Sequence, residues 1–136
     1  MARILSIDFG GKRTGLAVTD PMQIIASELR TVPTDDLLDF LMTYTQSEVV
    51  ETIVVGQPRR MDGSLSDIET RIVEFIEKLR EKVAIPIVRY DERFTSKMAG
   101  RSLIESGVKK KDRRDKSRLD SISATLILQD YLASRS

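Results

Sequence analysis

Arg3-Ile-Leu-Ser-Ile-Asp-Phe-Gly-Gly-Lys-Arg-Thr-Gly-Leu-Ala-Val-Thr19 decides how this chain begins to fold. Arg3 to Phe9 is a short apolar run rich in Ile and Leu, and the turn residues Gly10 and Gly11 follow it. Gly15 to Thr19 reads as a second strand, stopped by Asp20-Pro21. Ile24 to Val32 reads as a third, ended by Pro33. Three strands this close in sequence are most economically joined as an antiparallel meander.

Beyond Pro33 the period changes. Thr34 or Asp35 is placed to cap a helix in which Leu37, Leu38, Leu41 and Met42 recur at helical spacing. Thr52 to Val55 is a short buried strand ending at Gly56, and Ile68, Ile72, Phe75, Ile76, Leu79 and Val83 mark an amphipathic helix. Ile85 to Tyr90 returns as a strand. A shorter helix is expected from about Ser96 to Ser106 with Gly107 as its C-cap, and a last one from Ser117 to Leu132. Strands alternating with helices require parallel pairing and right-handed crossovers. The expected architecture is α/β, a mixed five-stranded sheet flanked by helices, with residues 1–136 forming one domain.

Composition removes whole reaction classes. The 136 residues contain no Cys and no His. Thiolate nucleophiles, Cys-ligated metals, Ser-His-Asp catalysis and HExxH zinc sites are therefore excluded. Polar chemistry must rest on carboxylates, Lys, Arg, Tyr, hydroxyls or backbone, and carboxylates suit hard cations such as Mg²⁺ or Mn²⁺. No apolar run reaches the roughly 18–20 residues of a membrane span. Asp8 comes too early for a signal peptide, so the cytosol is the expected compartment.

Charge is unevenly spread. Lys109, Lys110, Lys111, Arg113, Arg114, Lys116 and Arg118 stand against Asp112 and Asp115, seven charges against two. That segment carries +5 on a chain whose net charge is +1, leaving −4 for the remainder. A concentrated basic loop fits a phosphate-rich partner, although a solvated surface loop has the same composition.

Three acidic positions bear on chemistry. Asp8 ends a buried strand before glycines and two cations, Lys12 and Arg13, an arrangement that can anchor Mg²⁺ and meet phosphate oxygens. A plain hairpin turn would use the same residues. Asp91 and Glu92 lie at the end of the fifth strand, where open α/β sheets bind ligands, but alternation sends them to opposite faces. Val88, Tyr90 and Glu92 share one face, while Arg89, Asp91 and Arg93 share the other. Asp120 shares a helix face with Ala124, Ile127 and Tyr131, where an unpaired carboxylate is costly unless a cation or basic partner meets it. The helix N-terminus offers the alternative compensation. Acids brought together could hold two metals about 3.5–4 Å apart for phosphodiester hydrolysis, chemistry that needs neither His nor Cys.

Four blocks in order resemble the YqgF (RuvX-like) nucleases, which have an RNase H-like fold. They are Asp8-x-Gly10-x-Lys12-Arg13-x-Gly15 with Asp20; Gly56-x-Pro58 with Met61-Asp62-Gly63-Ser64; Asp91-Glu92-Arg93-x-Thr95-Ser96 with Ala99; and Lys116 with Asp120 and Ala124. The resemblance spans essentially the whole chain. It implies that Asp8, Glu92 and Asp120 are catalytic metal ligands, and so selects Glu92 over Asp91. It implies a role in processing the 5′ end of the small-subunit (16S) ribosomal RNA precursor, with Holliday-junction resolution as the alternative. Structured RNA, branched DNA and ribosomal precursor particles are the implied partners, and no membrane is. Lys12, Arg13, Arg93 and the cations of 109–118 would contact nucleic acid. Gln57 and Ser123 depart from the family pattern without touching a proposed ligand.

Sparse aromatics and the absence of Trp argue for recognition of shape and phosphate rather than base stacking. Two other classes compete. A binding protein without catalysis must explain clustered carboxylates beside phosphate, and a sugar kinase or actin-like ATPase needs a second domain.

Overall fold

The computed structural model describes residues 2–58, 67–91 and 116–135, with side chains in the last segment from 121 to 134. Its strands are β1 (Arg3–Asp8), β2 (Arg13–Thr19), β3 (Ala26–Pro33), β4 (Val50–Gln57) and β5 (Ile87–Asp91). Its helices are α1 (Leu37–Ser47), α2 (Glu69–Lys82) and α3 (Lys116–Arg135). They build one sheet of five strands in the order β3-β2-β1-β4-β5. The first three strands form the expected antiparallel meander, and β4 and β5 extend it in parallel from β1. The expected helix over 96–106, its cap at Gly107 and the turn at 61–64 lie outside the described residues.

Strand alternation divides the sheet into two unlike faces. Leu5 and Ile7 of β1, with Phe9 just beyond it, point toward α1 and α2, where they join Leu16, Val18, Ile53 and Val55 and the buried Leu37, Leu41, Ile72, Phe75 and Leu79. The helical spacing of those last residues is why both helices bury one stripe there. Ile4, Ala17 and Val54 face the other way, against Ala124, Ile127 and Leu128 of α3. The partly buried Tyr131 packs there too, so Ala124, Ile127 and Tyr131 form the inward stripe their spacing predicts. No described helix is long and apolar enough to cross a membrane.

Two local expectations are corrected. The third strand starts at Ala26 rather than Ile24, because Asp20 folds the preceding segment into a turn. Its carboxylate accepts hydrogen bonds from the backbone N–H groups of Met22, Ile24 and Ile25 at 3.1, 2.9 and 2.7 Å. The first helix is not capped by Thr34 or Asp35: residues 34–36 form a 3-10 turn, and no side chain caps α1. Thr34 instead donates its hydroxyl to the Gly10 carbonyl, 2.7 Å away.

Candidate functional site

The parallel strands β1, β4 and β5 all end at the same edge of the sheet, with Asp8, Gln57 and Asp91 as their last residues. Such an edge is where open α/β sheets receive ligands, because the loops that leave it can diverge. Asp8 lies on the α3 face, two residues beyond Ser6 and four beyond Ile4. Its cross-strand partner in β2 is Gly15. On its other side, Gly56 follows Val55, the β4 partner of Ile7. A glycine on each flank leaves no Cβ beside the half-buried carboxylate, which sits on a glycine-flanked shelf.

The turn after Asp8 is held rigidly. A Cβ on Gly10 would fall 2.1 Å from the Arg13 carbonyl oxygen, a clash that only glycine avoids. The fully buried Thr14 hydroxyl lies 2.9 Å from that of Thr34, and the Thr34 amide donates to the Lys12 carbonyl at 2.9 Å. From α2, the Arg71 guanidinium donates to the Gly11 carbonyl at 3.3 Å while lying 5.8 Å from the Phe9 ring centroid. Lys12 is thereby presented to solvent at the strand end. Arg13 shares the face of Gly15 and Ala17, and so of Asp8.

At the far strand, alternation assigns Asp91 to a face. Val88 and Tyr90 pack on the α3 side, whereas Arg89 turns to the opposite side and pairs with Glu69 of α2. Asp91 therefore belongs to the α2 face and Asp8 to the other. Glu92 and Arg93 lie outside the described residues, as do Lys109, Lys110, Lys111, Arg113 and Arg114. Lys116, Arg118 and Asp120 lie on the backbone of α3, in its first turn and a half.

The path of α3 can be followed across the sheet. Ser121 donates to Glu28 of β3 at 3.2 Å, Ala124 accepts from Ser6 of β1 at 2.6 Å, and Tyr131 meets Tyr90 of β5 edge-on at 6.4 Å. The helix thus enters over β3 and leaves toward β5. Burial, followed by the charges of Asp130 and Asp91, holds the Tyr90 phenol above its usual pKa and keeps it neutral. Among the described residues, no group of three acids converges as a metal cage.

One structural feature escaped the sequence reading. Arg89 forms a two-pronged pair with Glu69, at 2.8 and 2.6 Å, and also donates to the carbonyls of Val55 and Gly56 at 3.3 and 3.2 Å. This clamp fixes the β4 end that flanks Asp8. An Arg at a strand position whose side faces the helix layer was the available signal, since a half-buried cation must find acceptors.

Known proteins place this geometry. A family model described as RuvX, Holliday junction resolvase, matches residues 2–134. The chain belongs to the RuvX family. A relative from Phocaeicola vulgatus is 52% identical over 136 residues, covering 99% of this chain and 98% of that protein. One from Christiangramia forsetii is 53% identical over 133 residues, covering 97% and 98%. One from Porphyromonas gingivalis is 54% identical over 133 residues, covering 97% and 96%. Each bears the name "Putative pre-16S rRNA nuclease". Among solved structures, Thermus thermophilus RuvC bound to a Holliday junction aligns with a TM-score of 0.56 at 14% identity, covering 100% of this chain and 97% of that one. The fowlpox virus Holliday junction resolvase aligns with 0.56 at 13%, covering 97% and 99%. At such identity the two structures speak for the fold alone, and that fold is RNase H-like, as the sequence resemblance implied.

Proposed function

We propose that this RuvX nuclease hydrolyses phosphodiester bonds in structured nucleic acid with a divalent metal, at a site built on Asp8, Glu92 and Asp120. The observation that carries the reading is the position of Asp8 on a glycine-flanked shelf at the carboxyl edge of three parallel strands. The donor chemistry fits: a chain without His or Cys offers oxygen ligands, which suit Mg²⁺ or Mn²⁺. A bound divalent cation supplies Lewis acidity and a more acidic water. The chain's own residues do the rest. Asp8 holds the cation on a rigid strand, and Glu92 and Asp120 complete the oxygen set. Asp91 is left out because its strand position puts it on the other face.

Lys12 and Arg13 stand beside Asp8 and meet the phosphates flanking the scissile one. Arg93, Lys109, Lys110, Lys111, Arg113, Arg114, Lys116 and Arg118 widen that positive surface. Phosphate contacts of this kind fix position without reading sequence. The substrate that best matches the named relatives is the 5′ end of the 16S ribosomal RNA precursor, met in the cytosol on ribosomal precursor particles. A second reading, resolution of branched DNA, is favoured by the family description.

Side-by-side cleavage of a precursor 5′ end and a four-way DNA junction, with Mg²⁺, Mn²⁺ or EDTA, separates the readings. Metal-dependent cleavage of the RNA, lost in Asp8→Asn, is expected. Cleavage that survives EDTA or Asp8→Asn overturns the proposed site, and cleavage of the junction alone transfers the substrate to DNA.

A further inference from the structure

Ser6 is fully buried in the middle of β1, and its hydroxyl donates to the carbonyl of Ala124, 2.6 Å away in α3. Its surroundings do not require a hydroxyl. Ile4, Ala17, Val54 and Ala124 around it are apolar and buried, so alanine would fit the same packing. Ile127 and Leu128 pack α3 on Ile4 and Val54, and Ser121 and Tyr131 hold it over β3 and β5. The Ser6 bond adds a directional tie between α3 and β1, the strand that bears Asp8. A directional buried hydrogen bond selects one register where apolar contact would accept several.

The register it selects is the relevant one. Asp8 lies two residues beyond Ser6 on the same strand face, and Asp120 lies one helical turn before Ala124. A single bond thus ties the strand segment bearing one acid to the helix turn bearing another. We propose that Ser6 is a positioning residue that sets the relation between Asp8 and Asp120 and thereby tunes affinity for the divalent cation. This rests on reading those two acids as ligands of a shared metal site.

The test counts bound Mn²⁺ through the electron paramagnetic resonance of the free ion. It uses the full chain, with and without a phosphorothioate oligonucleotide to supply phosphate oxygens. Ser6→Ala is expected to raise the Mn²⁺ dissociation constant about tenfold or more, the scale of lost outer-shell support. Ser6→Cys, similar in size but a poor donor, should fall between. The Mn²⁺ concentration for half-maximal cleavage should rise in parallel, with KM for nucleic acid unchanged at saturating metal. Loss of stability alone lowers the melting temperature and leaves the dissociation constant of the folded protein in place. If Ser6→Ala does not fold, Ser6→Cys carries the comparison. A dissociation constant within twofold of the parent, in a protein whose Asp8→Asn variant has lost Mn²⁺, overturns the role of Ser6. Mn²⁺ binding untouched in Asp8→Asn overturns the metal site itself.

Discussion

The two faces of this sheet are built to different specifications. Against α1 and α2, large side chains interlock: Leu5, Ile7, Leu16, Ile53, Ile72 and Leu79 are all fully buried. Against α3, large and small residues alternate: Ile4, Val54, Ile127 and Leu128 are fully buried there, and so are the small Ser6, Ala17 and Ala124. The row beyond them narrows further, to Gly15 and Gly56 on either side of Asp8. One face is filled with large side chains throughout, and the other is cleared of them only beside Asp8. The lesson is a division of labour within a single sheet, in which both faces hold the fold together and the second also carries the acidic edge.

The largest expected effect tests the cleared face. Asp8→Asn should reduce cleavage by about three orders of magnitude or more, the scale seen when one member of a cooperating catalytic set is lost. Its urea midpoint should stay close to that of the parent, because Asn keeps the shape of the side chain. A variant that both unfolds and loses activity would break the comparison, since Asp8 would then belong to the structure. Leu79→Ala tests the filled face. The side chain is fully buried among Ile72, Phe75 and Ile76, and truncation should cost about 2–5 kcal/mol in urea unfolding. Cleavage per folded molecule should be unchanged.

The same division explains what the sequence disclosed. Ile72, Phe75, Ile76 and Leu79 recur at helical spacing, and the meander follows from Gly10, Gly11 and Asp20-Pro21, so the filled face was legible residue by residue. The cleared face was not. Asp8 beside glycines is indistinguishable from a hairpin until Gly15 and Gly56, forty-one residues apart in sequence, are seen as its lateral neighbours. Only pairing register shows that, and register is a property of the assembled sheet. Thr34 misled for the same reason. It is a good N-cap by type, yet the Gly10 carbonyl, twenty-four residues earlier, claims its hydroxyl. Alternation separates Asp91 from Glu92, but which face α3 covers, and so which face Asp91 leaves, is visible only in the assembled sheet.

A smaller effect sharpens the boundary between the faces. Glu69 is 8% exposed and holds Arg89 with both oxygens, while Arg89 holds the Val55 and Gly56 carbonyls. Glu69→Gln keeps the shape and removes the charge. It should cost about 1.5–3 kcal/mol, the range for hydrogen bonds to charged groups. Because the clamp lies on the filled face but grips the strand end beside Asp8, activity should fall modestly as well, through kcat. Loss of stability with no change in kcat would confine the clamp to the scaffold.

The smallest expected effect concerns Asp20, which shares the opening sequence block with Asp8 but serves the opposite end of the sheet. Gln23, within the turn that Asp20 organises, donates its side-chain amide to the Ala2 carbonyl at 2.8 Å, at the start of β1. Backbone hydrogen bonds from Ile25, then Ile24 and Met22, outweigh partial desolvation and lower the Asp20 pKa below its usual value. A depressed folded-state pKa means that the unfolded chain binds the proton more readily. Asp20 therefore contributes stability above the ordinary carboxylate range near pH 4, and that contribution drains away as pH falls through the depressed value. Asp20→Asn should be slightly less stable than the parent at pH 7, and the difference should close as pH falls below the ordinary carboxylate range. Thermal melts of the two proteins from pH 7 downward make the measurement, with cleavage at neutral pH unaffected. If cleavage falls as far as in Asp8→Asn, the two aspartates act together and the turn at this far end reaches the shelf.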